Sequence, residues 1–526
     1  MYKNNKSIEE TFNSAFKNHQ KNNLQVAENL YEEILKIDPN HFQTICFLGT
    51  LSIQIKNFDR AKQLFNEAIK IQPNNANVHN NLGTVFKELE DFKKSVNYFQ
   101  KVIEIQPNHA DAHNNLGVVF DELGEYQKAI NSYQNAIRFD SDNANVHNNL
   151  GVVFKELGEY QKAINSYQNA IRFDPNNVSA YHNLGVVFEE LGDYQKAINY
   201  YKKAIKIKPN FAKAHNSLGI VLLLLSDFQK GFEEYEWRKK ISEKKYYKKK
   251  DIESSEWNGE DLKGKTILIL SEQGYGDIIQ FARYIYMLEN KFFVNVIFRT
   301  RKKLMHLFPS SKFKIISDED PIPQHDFHIY LLSIPKIFYK ETKTIPKQIN
   351  YISKNTKIAF KWNKKLSQIT GIKIGINWHG SKSHKFYRSR SIPLIFFEEL
   401  FSIKKINFIN LQKGPGLEQI KKFKYKDKFH DFSSEVDNGE NAFEDTIGIL
   451  QNLDLVISAD TSLVQLSATL GIETWVLLQF SPHWAWFLSS NRSPWHEHIK
   501  IYRQDKINNW DSVFSLVKKD LINKYT

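Results

Sequence analysis

Apolar residues recur at spacings of three and four along the first half of the chain, and the pattern restarts every 34 residues. One unit runs from Asn143 to Asp174. Its two apolar runs, Val146–Leu157 and Tyr160–Phe173, predict paired helices with a Gly-Glu break between them. Gly49, Gly83, Gly117, Gly151, Gly185 and Gly219 keep the 34-residue step, each preceded by Leu. Pro39, Pro73, Pro107, Pro175 and Pro209 keep it too, with Ser141 in the remaining slot. A small residue recurs in the second helix (Ala129, Ala163 and Ala197 among others), and an aromatic follows four positions later (Tyr133, Tyr167, Tyr201). Four residues is one helical face, so the aromatic is expected beside the small slot. Such a fixed period predicts stacked helix–turn–helix units rather than a closed globule.

The rhythm stops after Trp237. Arg238–Lys250 holds eight basic residues in thirteen and reads as a solvated linker. Beyond it, short apolar runs alternate with helical ones. Thr266–Leu270 and Val294–Phe298 read as strands flanking a helix over Asp277–Leu288. A second series starts with the strand at Ile372 and a helix over Leu394–Ile403, then adds strands at 406–411, Leu455–Ser458 and Thr474–Leu478. Helices over Ala442–Leu453 and Ser462–Leu470 complete it. Strand–helix alternation predicts parallel α/β units, and two series predict two Rossmann-like lobes with a cleft between them. The expected fold class is α + α/β: a helical solenoid over 1–238, a basic linker over 239–263, and lobes over 264–360 and 361–526.

Composition narrows the setting. There are 526 residues, 41% hydrophobic, enough for two or three domains with sizeable cores and against disorder. No run of 18 apolar residues and no apolar leader stands out, so no transmembrane segment is expected. One cysteine, Cys46, fits a reducing compartment, and the expected location is cytoplasmic. Before residue 238 there are 25 Lys/Arg against 28 Asp/Glu; afterwards there are 47 against 31. That electropositive second half suits an anionic ligand such as a nucleotide diphosphate. No nucleic-acid-binding motif accompanies the charge, so no nucleic-acid partner is expected.

In parallel sheets ligands sit at the carboxyl ends of strands, and three such ends carry candidate chemistry. Gly274, Gly276 and Asp277 follow the first strand, where glycines allow close backbone approach and a helix start favours an anion. Lys385, Arg388 and Arg390 follow the strand at Ile372, where arginine forks suit a diphosphate. Asp460, Thr461 and Ser462 open the helix after Leu455–Ser458, offering hydroxyls and amides for ribose or phosphate, or a plain helix cap. Asp318-Glu319-Asp320 could mimic a metal-binding triplet, but it lies in a Pro-flanked loop; no metal site is expected. In the repeats, Asn81, Asn115, Asn149 and Asn183 form a column of combined donors and acceptors suited to a peptide backbone. A polar helix face is the plainer account of that column.

The repeat half resembles the tetratricopeptide repeat, with six full units and a modified seventh, and on that superhelix the asparagine column would lie on the concave face. A similar asparagine ladder in eukaryotic O-GlcNAc transferase holds acceptor polypeptides. The second half carries EQGYGDIIQFARY (272–284), LQKGP (411–415), SADTSLVQLSATLG (458–471), SPHWAWFL (481–488) and SPW (493–495). With His384, Arg388, Arg390 and Ser391, these motifs resemble bacterial tetratricopeptide proteins bearing a heptosyltransferase-like domain of glycosyltransferase family 9. The resemblance implies a GT-B fold and inverting, metal-independent transfer from a nucleotide-sugar donor, a co-substrate rather than a cofactor. It implies Asp277 as general base, Arg388, Arg390 or Lys413 on the leaving diphosphate, and Asp460 and Thr461 on the donor. His379-Gly380-Ser381-Lys382 departs from the family's pattern after Trp378. The reading expected is a glycosyltransferase acting on a polypeptide presented by the repeats. The alternatives are an interaction scaffold with an inactive transferase-like domain, or an enzyme whose acceptor is a glycan or lipid-linked sugar.

Overall fold

The computed structural model describes the chain apart from residues 1, 242–251, 310–312, 343, 347–349, 354, 382–386, 426–427 and 489. Helices pair from Tyr2–Gln20 with Leu24–Ile37 through to Ala212–Leu224 with Phe228–Tyr235. The unit that contains Gly151 forms Ala144–Glu156 and Tyr160–Phe173, joined by a turn at Gly158 with φ +76°. Asn143 caps the first helix by accepting from the Val146 N–H at 3.3 Å.

The glycine column has a more specific cause than helix approach in general. A Cβ at Gly151 would lie 2.6 Å from the Tyr167 ring, and one at Gly117 would lie 2.6 Å from the Tyr133 ring. The aromatic therefore lies directly on the glycine of its own unit. At Gly219 the arrangement changes: a Cβ there would meet the Tyr235 backbone nitrogen at 2.5 Å. The Tyr235 ring lies instead 5.9 Å from the Trp484 ring. A second column ties each unit to its own entry turn. His79, His113, His147 and His215 donate from Nε2 to the carbonyls of Pro73, Pro107, Ser141 and Pro209, at 2.8–2.9 Å.

Compact packing divides the chain into Met1–Val187 and Phe188–Thr526. The second unit contains two parallel sheets. The first comprises β1 (Ser255–Glu256), β2 (Thr266–Leu270), β3 (Asn295–Thr300), β4 (Lys314–Ser317) and β5 (Phe327–Tyr330), in the order β1-β5-β2-β3-β4. The second comprises β6 (Ile372–Asn377), β7 (Ile406–Asn410), β8 (Phe429–His430), β9 (Leu455–Ala459), β10 (Thr474–Leu478) and β11 (Ile499–Arg503), in the order β11-β10-β9-β6-β7-β8. Every pairing between these strands is parallel. Chain direction across the sheet reverses between β2 and β5 in the first sheet and between β6 and β9 in the second. Those two reversals are where open α/β sheets leave a crevice.

The predicted helix over Asp277–Leu288 is two helices, Tyr275–Phe281 and Arg283–Phe292. Leu394–Ser402 is 3-10 rather than α. The end of the repeats belongs to the α/β core: Leu223, Leu224, Phe232 and Tyr235 share one buried cluster with Ile267, Ile278, Leu463 and Trp484.

Arg238, at the end of the repeats, is 2% exposed and reaches the β2–β5 reversal. Its guanidinium donates to Glu272 at 2.6 Å, Ser333 Oγ at 2.8 Å and Glu236 at 2.8 Å. Lys239 continues the network with Glu236 at 2.8 Å and Glu256 at 2.6 Å. Burial alone would raise the Glu236 carboxyl, but Arg238 and Lys239 outweigh it and bring it from 4.5 down to about 2.

Two outcomes follow from this packing. Gly151→Ala should destabilise the repeats by about 1–3 kcal/mol in chemical denaturation, because the Tyr167 ring must move; a neutral result would refute the ring-on-glycine account. The second outcome concerns acid. A depressed folded pKa contributes stability above the unfolded value, and that stability is lost as pH falls through the folded value. Glu236 should therefore supply on the order of 3 kcal/mol above pH 4.5, disappearing towards pH 2. Glu236→Gln should flatten that acid limb in urea titrations of the intact chain.

Candidate functional site

Asp277 stands in the first turn of helix Tyr275–Phe281, just beyond β2, and accepts the Gly274 N–H at 3.2 Å. That amide is thus committed to the protein's own carboxylate. Gly276 lies where a Cβ would sit 3.3 Å from Ser462 Cα, so the helix starts following β2 and β9 abut. A side chain at 276 would require the two helix starts to move apart by a few tenths of an ångström.

Three further groups gather there from the second sheet. Arg390 ends the short helix Tyr387–Arg390 and donates from Nη2 to the Asp460 carbonyl. Its guanidinium lies over Gly380, where a Cβ would meet Nη2 at 3.1 Å. Arg390 Nε is buried and has no hydrogen-bond partner among the described residues. Thr461 precedes helix Ser462–Thr469, but its hydroxyl donates to Asn377 Oδ1 at 3.1 Å instead of capping the helix. Ser458 Oγ donates to the same oxygen at 3.2 Å, so Asn377 joins the ends of β6 and β9. Gln412 holds the next layer, accepting from Asn377 Nδ2 at 2.9 Å and from the His379 N–H at 2.8 Å.

Electrostatics joins the two sheets. Burial pushes the Asp277 carboxyl above the usual carboxylate range. The charge of His483, the Gly274 N–H and Arg390 oppose that rise, while Asp460 adds to it. His483 follows β10 and precedes the 3-10 turn Trp484–Trp486. Asp277, Arg390, Asp460 and His483 follow β2, β6, β9 and β10 in turn. The site can hold an anion beside Arg390 and a proton acceptor at Asp277.

Other expected residues lie differently. Lys413 Nζ donates to the carbonyls of Val436 and, at 2.7 Å, Asp437. Lys385 and His384 lie outside the described residues, and Arg388 is described only through the backbone of its helix. Asp318 pairs with Arg301 at 3.3 Å, Glu319 with Lys302 at 3.1 Å, and Asp320 accepts the Ser317 N–H at 2.7 Å. Among the described residues, no group of three or more His, Cys, Asp or Glu is placed to hold a metal ion.

The asparagine column is a real ladder, with rungs inside the protein. Asn115 donates to Asn80 at 3.2 Å, Asn149 to Asn114 at 3.2 Å, and Asn183 to Asn148 at 3.0 Å. Each rung links successive repeats and uses one amide hydrogen. Asn81 occupies the same column at a half-buried position. Two participants escaped the sequence reading. His483 was visible only within a longer motif, and the partner asparagines one residue earlier looked like surface polarity.

Residues 19–82, 76–109, 98–131, 120–158, 153–192 and 178–211 match tetratricopeptide repeat models. The N-terminal region is built of these repeats. FlbA of Caulobacter vibrioides is 21% identical over 282 residues, 50% of this chain and 47% of FlbA. The chain thus covers about half the length of that curated relative. A crystal structure of MamA shares 27% identity over 33% of this chain and 94% of its own, with a TM-score of 0.29. The corresponding values for YrrB, described as a TPR protein with an unusual peptide-binding site, are 20%, 35%, 95% and 0.29. No helix among the described residues is long and apolar enough to cross a membrane.

Asn149→Ala should cost about 0.5–1.5 kcal/mol in denaturation, the net worth of one hydrogen bond, because the rung to Asn114 is lost. Asn114→Ala should cost a similar amount, and the double variant should cost less than the sum. Strict additivity would show that the rung contributes nothing.

Proposed function

We propose that the repeats hold a polypeptide and that the α/β region transfers a sugar from a nucleotide-sugar donor to one of its hydroxyls. The interaction half is the better supported, since residues 19–211 match a repeat type that serves protein binding. The transfer half is carried by one observation: the abutting helix starts at Gly276 and Ser462 gather Asp277, Arg390, Asp460 and His483 at strand ends of two parallel sheets. Charge and position give each group a task. Asp277 accepts the proton of the acceptor hydroxyl as its oxygen bonds the anomeric carbon. The bond to the diphosphate breaks with its electron pair on the phosphate oxygen, and Arg390 offsets the resulting charge. Thr461 and Ser462 line the donor side, and the transfer requires no metal. Such a reaction fits a cytoplasmic protein, where nucleotide sugars are made.

A second reading, an interaction scaffold without turnover, draws on Lys413, whose ammonium is bound to backbone carbonyls. A donor-panel thermal shift followed by a diphosphate-release assay separates the two. The transfer reading expects one nucleotide sugar to raise the melting temperature and release nucleoside diphosphate. Asp277→Asn should keep that shift and slow release by about 10²–10⁴-fold. Absence of binding at millimolar donor across the panel would leave the scaffold as the function. Changing Asn115, Asn149 and Asn183 together to Ala should weaken polypeptide acceptor use more than donor hydrolysis; equal loss would remove the ladder from acceptor binding.

A further inference from the structure

The repeats hold three turns of one sequence pattern, Leu-Gly-Glu/Asp-Tyr, at 123–126, 157–160 and 191–194. Each joins the two helices of its unit, and each is built alike. Gly124, Gly158 and Gly192 have φ values of +72°, +76° and +76°, the left-handed conformation that glycine adopts without strain. The next residue's N–H donates back to the carbonyl of Phe120, Phe154 or Phe188, at 2.8 Å in every case. The three turns therefore present one preformed backbone surface in three copies.

They differ in what lies on them. A Cβ at Gly192 would meet the Phe480 ring at 2.7 Å, and the Tyr194 hydroxyl donates to Ser481 Oγ at 3.4 Å. That turn is thus covered by the Phe480-Ser481 pair, which follows β10, and Leu191 beside it is half-buried. At Gly124 and Gly158 nothing among the described residues comes within 4 Å of the Cβ position. Leu123 and Leu157 are correspondingly 44% and 42% exposed.

We propose that the turns at 123–126 and 157–160 are docking sites for a partner polypeptide, each seating one phenylalanine side chain of the partner on its glycine. The chain's own contact identifies the occupant: the same turn, in the same conformation, takes the Phe480 ring on Gly192 and a neighbouring hydroxyl at Tyr194. A second copy of this chain fits less well, because its Phe480 is already seated on its own Gly192. Both uncovered turns lie within the single packing unit Met1–Val187. Two equivalent weak sites on one body suit a partner with two phenylalanines, since the first contact raises the effective concentration for the second. The asparagine rungs lie within helices Ala110–Glu122 and Ala144–Glu156, whereas these turns lie beyond the helix ends. The docking surface is therefore separate from the ladder and independent of the transfer reading.

The test uses the full-length chain with ¹³C-labelled leucine methyls, the signals of interest being assigned from Leu123→Val and Leu157→Val. The probe is the capped peptide of residues 478–483, Leu-Gln-Phe-Ser-Pro-His. Its titration should move the Leu123 and Leu157 signals, and a peptide with alanine in place of phenylalanine should bind about tenfold more weakly. By fluorescence anisotropy, the joint Leu123→Ser and Leu157→Ser variant should lose about tenfold in affinity for the labelled peptide. The joint Asn115→Ala, Asn149→Ala and Asn183→Ala variant should bind it as the parent chain does. Unmoved Leu123 and Leu157 signals at millimolar peptide, or equal binding of the alanine peptide, would overturn the proposal. A concentration-dependent dimer in sedimentation that Phe480→Ala abolishes would make the occupant a second copy and overturn the partner assignment. Donor binding and diphosphate release should be unchanged by the serine substitutions, so this proposal and the transfer reading fail separately.

Discussion

Arg238 and Glu272 are removed from water together, and the α/β region depends on their staying paired. Each is 2% exposed, and neither charge is tolerable alone at that depth. The pair is satisfied by the surrounding bonds: Ser333 and Glu236 accept from the guanidinium, and Glu272 also accepts the Leu332 N–H. These contacts lie at the strand ends beside the reversal between β2 and β5, where open parallel sheets leave a crevice. The first sheet therefore has a buried guanidinium at that place, supplied by the last residues of the repeats. The candidate base of the proposed site, Asp277, lies five residues beyond Glu272.

The second sheet keeps its reversal between β6 and β9, bridged by Asn377 but accessible to Arg390. The first sheet contributes only the helix start beyond β2. Close approach at Gly276 brings the halves together without a long loop between them. Repeat end, first sheet and second sheet thus meet around one aromatic cluster centred on Trp484.

The repeats were legible because their packing is local and periodic. Each glycine answers an aromatic sixteen residues later, and such a pair repeats often enough to announce itself. Strands β2, β9 and β10 were legible because they are almost wholly buried and largely apolar, and β6 because isoleucine recurs at every second position, Ile372, Ile374 and Ile376. Strands β1 and β8 have two residues each, and β4 and β5 have four, too short for any period to emerge. The helix Trp510–Tyr525 and the split at Ala282 were missed for a different reason, since tertiary packing there outweighs local pattern. Within the site, Asp277, Arg390 and Asp460 were readable from their places after strands. Arg238 looked like one member of a basic linker, because its partners Glu272 and Ser333 are far away in sequence.

The last aromatic of the 34-residue series has a consequence for how such a chain can vary. In the units of Gly49, Gly83, Gly117 and Gly151 the ring seats on its own glycine, and each unit meets its neighbours in the same repeated way, so whole units can be gained or lost by duplication or deletion. Tyr235 leaves that seat, and Gly219 receives helix backbone instead. The ring has been lent to the neighbouring fold, where it touches Trp484 and accepts from Gln273 at 3.0 Å. The series is therefore open to change of length at its beginning and middle but closed at its end. A truncation placed after the last regular beat, at the boundary that periodicity suggests, would cut through a shared core rather than between two domains.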